Sequence, residues 1–179
     1  DDTIKAFGRI DILVNNAGII ATSALLSLTD ADFERCMTGS PLSTFRYMKA
    51  FHPHLKAAGG GSIINLSTSA TRRWDAANYG FYAASKRAVE ALSRAAASEW
   101  GPDGIRVNTV APHALSPGLK GWIEANPAEA KEFFKTIPLG RVGDCEEDIG
   151  AAVLFLVSQG ARYVTGTVIP LDGGKEFFG

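Results

Sequence analysis

Four short and nearly continuous apolar segments are distributed along the chain, and longer amphipathic segments separate them. The apolar segments cover residues 10–14, 62–66, 105–110 and 167–171. Their lengths and β-branched residues predict strands, and their continuous apolarity predicts strands covered on both faces, as in a parallel sheet. The alternation of these strands with helices predicts an α/β fold with a doubly wound, Rossmann-like parallel sheet of about four strands.

The amphipathic segments predict helices over residues 29–56, 81–100 and 144–158. Thr29 is suited to cap the first helix. The same segment contains Pro41, which removes a backbone hydrogen bond and clashes with the preceding turn, so we expect a kink or a break near residue 40. Either two shorter helices meet there, or the kink frees a carbonyl inside the protein, and the first alternative is favoured.

Composition and charge narrow the range of functions. The length of 179 residues fits one domain over residues 1–179, and a net charge of −1 provides no basic surface for nucleic acid. No apolar run reaches the ~18 residues of a membrane span, so no membrane partner is expected. Cys36 and Cys145 match neither a disulfide framework nor a metal site, and favour a reducing, cytoplasmic location. His52 and His54 indicate a solvated turn more than a metal pair, because no third ligand is visible.

The candidate chemistry lies on the second predicted helix. Tyr82 and Lys86 are four residues apart, which places them on one face at about 6 Å of helical rise. A nearby ammonium is expected to lower the pKa of the phenol, which then acts as an acid and a base. This pair alone is common in helices, but hydroxyl residues 67–69 follow a predicted strand. The carboxyl ends of strands are where open α/β sheets bind ligands.

Five motifs in this order resemble those of the short-chain dehydrogenase/reductase family, and the resemblance covers essentially the whole chain. The motifs are Asn-Asn-Ala-Gly at 15–18, the hydroxyl-rich strand end at 67–69, Tyr82 with Lys86, the strand followed by Ala111-Pro112, and Thr165-Gly166 with the stretch 171–174. The resemblance implies hydride transfer between NAD or NADP and a small-molecule carbonyl or alcohol substrate. It also implies a homodimer or homotetramer, formed through the helices that begin near Thr29 and contain Tyr82.

The resemblance assigns roles to individual residues. Tyr82 corresponds to the proton donor and acceptor, and Lys86 to the residue that lowers its pKa and holds the nicotinamide ribose. Asn15, Ala17 and Gly18 correspond to the stretch that passes the adenosine ribose and braces the sheet.

The position of the hydroxyl that binds the substrate oxygen is ambiguous. Counting 13 residues back from the tyrosine, the family spacing, indicates Ser69, whereas counting forward from the strand indicates Thr68. One extra loop residue would reconcile the counts, and Ser69 is slightly favoured.

Two positions depart from the family pattern. Ser40 stands where the family has an asparagine whose backbone carbonyl holds a water that relays protons to the lysine. Pro112 and His113 stand where the family has Pro-Gly in the loop that passes the nicotinamide amide. His113 either contacts substrate or cofactor or points outward, and the outward alternative is the more common for a loop histidine.

Aromatic residues are concentrated in the two regions that wall the substrate pocket in the family. They indicate a bulky or apolar substrate, or equally rings that pack a lid onto the body. The residues are Trp74, Tyr79, Trp122, Phe133 and Phe134.

The resemblance further implies a strand and a glycine-rich, pyrophosphate-binding turn ahead of residue 11, and residues 1–8 do not match them. The chain is therefore expected to correspond to the catalytic and C-terminal part of such an oxidoreductase, and the segment that selects NAD or NADP is not identified. The alternative is an inactive or assembly-only homologue that keeps the dimer-forming helices and binds no cofactor. On its own, the 179-residue chain is expected to self-associate and to bind neither reduced cofactor at micromolar concentration.

Overall fold

The computed structural model describes residues 2–20, 22–73 and 78–176, and at its centre lies a parallel sheet in the order β1-β2-β3-β4. The strands are β1 (Ile12–Asn15), β2 (Gly61–Leu66), β3 (Ile105–Pro112) and β4 (Val168–Leu171). The register aligns Asn15 with Asn65, Asn65 with Thr109 and Thr109 with Val168. Because all the pairings are parallel, the carboxyl ends of the strands face the same edge of the sheet. The predicted Rossmann-like α/β fold with four parallel strands is confirmed.

Seven α-helices are present in the described residues. They are α1 (Asp2–Phe7), α2 (Asp30–Met37), α3 (Ser43–Ala57), α4 (Gly80–Trp100), α5 (Pro117–Ala125), α6 (Pro127–Lys135) and α7 (Ala151–Val157). A π-helical turn at Cys145–Gly150 precedes α7, and a short 3₁₀ turn at Ser69–Arg72 follows β2. Helices α5 and α6 lie in a segment for which the sequence pattern predicted no element.

The helices cover both faces of the sheet. Ile63 of β2 packs in a cluster with Met48 of α3 and Ala96 of α4, whereas its neighbour Ile64 packs with Leu156 of α7. Successive side chains of a strand point to opposite faces, so this pair shows that the central strand is buried on both sides. Burial on both faces explains the continuous apolar pattern in the sequence.

The segment around Pro41 forms a π-helical turn, Thr38–Leu42, between α2 and α3. The favoured alternative of two shorter helices that meet near residue 40 therefore agrees with the observed bounds. The carbonyl of Ser40 accepts a hydrogen bond from the backbone N–H of Ser43. At the start of α2, Thr29 is the N-cap and forms a reciprocal capping box with Asp32.

Within residues 2–20, 22–73 and 78–176, no helix has the length and apolarity needed to cross a bilayer. The same described residues contain no group of three or more histidine, cysteine or acidic side chains arranged to hold a metal ion. His52 is partly buried: its Nε2 lies 3.0 Å from the carboxylate of Asp103, and its ring packs on Trp100 at 4.8 Å between centroids. Its environment is therefore a partly buried polar contact rather than the expected solvated turn.

Candidate active site

A cleft of about 1170 Å³ opens at the carboxyl ends of the strands. Most of the residues singled out in the sequence line it, and Asn15 and Ala17 do not. The predicted residues in its wall are Gly18, Thr68, Ser69, Tyr82, Lys86, Pro112 and His113. The parallel sheet thus gathers segments that are far apart in the sequence into one site.

The first turns of α4 place Tyr82 and Lys86 in this cleft. Lys86 is only 5% exposed, and its Nζ donates a hydrogen bond of 2.9 Å to the carbonyl of Leu66 at the end of β2. The same Nζ lies 6.0 Å from the centroid of the Tyr82 ring. Burial lowers the pKa of Lys86 from its ordinary value, because an ammonium is costly to remove from water.

The pKa of Tyr82 differs from the sequence-based expectation. Burial of the phenol raises this pKa above its ordinary value, and a hydrogen bond with the Thr68 side chain lowers it by a smaller amount. The expected lowering of the Tyr82 pKa is therefore wrong for this structure. Desolvation of the phenolate outweighs the opposing effects, and the Lys86 ammonium is directed at a backbone carbonyl.

The two candidate hydroxyls occupy different positions relative to Tyr82. The Thr68 side chain lies close enough to Tyr82 to lower the pKa of its phenol, and it accepts a hydrogen bond from the backbone N–H of Ala70 at 3.3 Å. Ser69 begins the 3₁₀ turn and is 6% exposed. The neighbouring Ser67 donates to the buried carboxylate of Glu90 at 2.6 Å, so its hydroxyl is already engaged.

Gly18 lies beside the Lys86 ammonium. A Cβ built on Gly18 would lie 3.1 Å from Lys86 Nζ and 3.8 Å from Ser40 Oγ. A side chain at position 18 would therefore require the lysine to shift by a few tenths of an ångström. The Ser40 hydroxyl is buried without a hydrogen-bond partner. Ser40 Oγ and Lys86 Nζ therefore both lie near position 18.

Asn15 acts inside the sheet. Its side-chain amide donates to Asn65 Oδ1 at 2.8 Å, and Asn65 donates in turn to Ser93 Oγ at 2.8 Å. The Ser93 hydroxyl donates to the carbonyl of Val89 at 2.7 Å. This chain of hydrogen bonds joins β1, β2 and α4, and it matches the bracing role that the resemblance implied. Ala17 is exposed in the loop that follows.

His113 lies in the wall of the cleft, so the outward alternative is wrong. Its ring makes an edge contact with Phe133 at 5.3 Å between centroids, and its backbone N–H donates to the carbonyl of Leu171 at 2.9 Å. The Nδ1 atom is buried without a hydrogen-bond partner. Burial lowers the pKa of His113, which favours the neutral ring at pH 7.

Three of the five aromatic residues noted in the sequence line the cleft: Tyr79, Trp122 and Phe133. Phe134 lies next to Phe133, with 6.3 Å between ring centroids, and is not part of the wall. Trp74 lies outside the described residues. The rings of Trp122 and Phe133 contact each other at 5.9 Å, and therefore also pack α5 onto α6.

Two basic residues of the wall were missed in the sequence. The Arg73 guanidinium lies 5.5 Å from the centroid of the Tyr79 ring, and Lys175 Nζ lies 5.6 Å from that of Phe133. Both residues come a few positions after a strand that ends at this edge. Their distance from the strand ends was a signal that could have identified them, because loops that follow parallel strands converge on the site.

Comparison with known proteins agrees with this fold. The family described as enoyl-(acyl carrier protein) reductase matches residues 1–176. The peroxisomal 2,4-dienoyl-CoA reductase of Danio rerio is 39% identical over 176 residues, which are 97% of this chain and 58% of that protein. The 3alpha-hydroxysteroid dehydrogenase of Mediterraneibacter gnavus is 40% identical over 173 residues, which are 96% of this chain and 67% of that protein.

Among solved structures, levodione reductase superposes with a TM-score of 0.88 at 34% identity, over 97% of this chain and 69% of that one. The chain belongs to the short-chain dehydrogenase/reductase family, whose members are oxidoreductases that use NAD or NADP. It spans between 58% and 70% of the length of the curated relatives that it matches.

Proposed function

We propose that this chain contains the catalytic residues of an NAD(P)-dependent oxidoreductase, which interconverts a carbonyl and an alcohol in the cleft at the carboxyl edge of the sheet. The observation that supports this most is the group of Thr68, Tyr82 and Lys86, in which Lys86 is buried and the other two are half-buried. It places one neutral phenol and one ammonium side by side in an aromatic cleft. Such a pair provides a proton donor beside a fixed positive charge.

The residues near Lys86 fit the nicotinamide end of the cofactor. Gly18 has no side chain, and a Cβ there would come within 3.1 Å of Lys86 Nζ. The bare backbone therefore lets a ligand approach the ammonium closely. Lys86 would donate to ribose hydroxyls, and the loop at Pro112 and His113 would pass the nicotinamide ring. When bound, the cofactor supplies or accepts the hydride.

Tyr82 would move the proton at the substrate oxygen. Because burial raises the pKa of Tyr82, the phenol is protonated at neutral pH and is ready to donate to a carbonyl oxygen during reduction. In the opposite direction it would accept the proton of an alcohol. We assign the second hydrogen bond to the substrate oxygen to Thr68 rather than Ser69, because the Thr68 side chain already contacts Tyr82.

We further propose that the protein is a homo-oligomer, a dimer or tetramer. An apolar groove of about 870 Å³ lies between α2, the π-helical turn, the start of α3 and α4, and it includes Phe33, Met37, Leu42, Phe45 and Leu92. The same groove supports the alternative function, in which the chain serves in assembly and binds no cofactor. Free cysteines at positions 36 and 145 favour a reducing compartment, the cytoplasm.

The test is a turnover assay of the full-length protein with NADH and NADPH against a panel of cyclic and aryl ketones. We expect consumption of at least one nicotinamide and its loss in the Tyr82→Phe variant. A protein that forms dimers, binds neither nicotinamide and reduces none of the ketones would contradict the enzyme and support the assembly function.

A further inference from the structure

Three consecutive residues at the end of β2 are hydrogen-bonded to helix α4. The helix residues in these pairs follow one another at spacings of four and three positions, and all are buried, so they form one stripe on the face of α4 that is turned to the sheet. The pairs, with the strand residue first, are Asn65 with Ser93, Leu66 with Lys86 and Ser67 with Glu90. The first pair braces the sheet and the second holds the ammonium in the cleft, whereas the third has no role in the reaction as described so far.

Glu90 is a buried carboxylate with a strong hydrogen bond. It is 3% exposed, and its Oε1 atom accepts from the Ser67 hydroxyl at 2.6 Å. This length lies within the range of about 2.5–2.7 Å for a hydroxyl bound to a charged carboxylate, which is roughly twice as strong as a bond between neutral groups. The Arg87 guanidinium lies 3.1 Å from Oε2 and supplies the opposite charge. Because a buried charge is costly unless it is paired and hydrogen-bonded, we expect the contact with Ser67 to persist.

Ser67 connects the end of β2 to elements on two sides. Its backbone N–H donates to the carbonyl of Val110 on β3 at 2.8 Å, and its hydroxyl donates to Glu90 on α4. Ser67 is itself 4% exposed, so water does not compete for these bonds. The position of the chain at residue 67 is therefore fixed relative to both β3 and α4.

The next residue is Thr68, the hydroxyl that we assign to the substrate oxygen. Its side chain lies close enough to Tyr82 to affect the pKa of the phenol. The other hydrogen bonds of Thr68 are made with two backbone N–H groups of its own turn, so they shape the turn without setting its distance from α4. The bond between Ser67 and Glu90 sets that distance, because it joins the preceding residue directly to the helix that contains Tyr82.

We propose that Glu90 is a positioning residue of the active site. By holding Ser67, it keeps the Thr68 hydroxyl at the distance from the Tyr82 phenol at which both can reach one substrate oxygen. Glu90 lies outside the wall of the cleft and touches neither substrate nor cofactor in this proposal. Misplacing a reacting group by about 1 Å can cost roughly 10²-fold in rate, so such a contact matters for turnover. This inference rests on the proposed oxidoreductase function and adds a residue to its machinery.

Steady-state kinetics of the full-length protein test this role with two variants. Ser67→Ala removes the donor, whereas Glu90→Gln keeps the shape of the side chain and removes its charge. Each should lower kcat/KM for the best ketone of the panel about tenfold, the scale of one hydrogen bond to a charged group. The double variant should lose little more than either single variant, because both break the same contact. Glu99→Gln, on the exposed part of the same helix, is the matched control, and an equal loss there would contradict the proposal.

A titration of Tyr82 distinguishes positioning from a merely structural role. The residue is labelled as difluorotyrosine, whose phenol is more acidic, and its ionisation is followed by fluorine NMR without nicotinamide or substrate. Because the Thr68 side chain lowers the pKa of this phenol, both variants should move the titration to higher pH. Cys36 and Tyr79, which also act on this pKa, are unchanged in both.

Two results of the titration would overturn the proposal. Loss of the Glu90 charge without movement of Thr68 would lower the pKa of the phenol in Glu90→Gln and leave it unaltered in Ser67→Ala. Titrations that match the wild type in both variants would show that the contact is only structural.

The positioning role and the proposed function can fail separately. Titrations that move to higher pH in both variants, with no turnover of any ketone by the wild type, would refute hydride transfer and leave the coupling of Glu90 to Thr68 standing. Ketone turnover that Ser67→Ala and Glu90→Gln leave at the wild-type level, with unshifted titrations, would refute only the positioning role.

Discussion

The two ends of the sheet are built differently. At the amino end, Ile105 of β3 is 1% exposed and Leu55 of α3 is 0% exposed. A Cβ on Gly60 would lie 2.5 Å from the carbonyl oxygen of Gly104, so the backbones are in close contact there. At the carboxyl end, the buried side chains include Lys86 and Glu90. Burying such groups costs free energy unless they are paired. This difference agrees with our proposal that the carboxyl end holds the active site, and it predicts that the amino end contributes more to stability.

The largest expected effect on stability is at the amino end. Ile105→Ala removes a fully buried side chain and should lower the free energy of unfolding by about 2–5 kcal/mol. Denaturant unfolding measures this change, with Leu154→Ala as the control, because Leu154 of α7 is 69% exposed and should cost far less. Turnover per folded molecule should stay near the wild-type value. A large loss of kcat in folded Ile105→Ala would break the proposed division between the two ends.

The largest expected effect on activity is at the carboxyl end. Tyr82→Phe removes the proton donor and keeps the ring, so kcat should fall by roughly 10²-fold or more. Tyr79→Phe is the matched control in the same cleft and should change kcat much less. Steady-state kinetics with the best substrate of the ketone panel measures kcat for both variants. If the two variants lose the same activity, Tyr82 has no special role.

A smaller effect distinguishes the two hydroxyls. Thr68→Val keeps the shape of the side chain and removes its hydroxyl. It should reduce kcat/KM about tenfold, the scale of one hydrogen bond of about 1.4 kcal/mol to the reacting oxygen. Ser69→Ala should cost less. The opposite ranking would return the role to Ser69, the residue that the spacing to the tyrosine favoured.

The smallest expected effect is the pH dependence of stability caused by Lys86. Its pKa is lowered in the folded chain, so as pH rises through that lowered value the folded protein loses the proton while the unfolded chain keeps it. The stability of the wild type should therefore rise with pH relative to Lys86→Met. Denaturant unfolding at neutral and alkaline pH measures the difference. If the free energy of unfolding of the wild type, relative to that of Lys86→Met, instead falls as pH rises, the Lys86 ammonium is not destabilised by burial.

Much of the fold could be predicted from the sequence. The strands are buried on both faces, and such burial gives continuous apolar runs, such as that of β2, which are typical of a parallel sheet. Helices α5 and α6 were not predicted, because they are short and their packing depends on contacts between aromatic rings, such as that of Trp122 with Phe133. The π-helical turn was anticipated only as a kink, because Pro41 identifies a lost hydrogen bond but not the geometry that replaces it.

The sequence predicted which residues form the site better than it predicted their pKa values. The spacing of Tyr82 and Lys86 was enough to predict that they share one face of a helix. The direction of the Tyr82 pKa depends on burial, which no local pattern shows. Whether His113 points inward depends on Phe133, which lies on a separate helix. Arg73 and Lys175 join the site only through the convergence of distant loops.

The most direct test of the central claim, that Tyr82 moves the proton, is the pH profile of alcohol oxidation by the wild type and by Tyr82→Phe. Oxidation needs the phenolate as a base, and burial raises the pKa of this phenol. The wild-type rate should therefore increase with pH through the alkaline range, by about tenfold per pH unit below that pKa. The variant should be slow and independent of pH over the same range. An equal rise in both proteins would contradict the role of Tyr82.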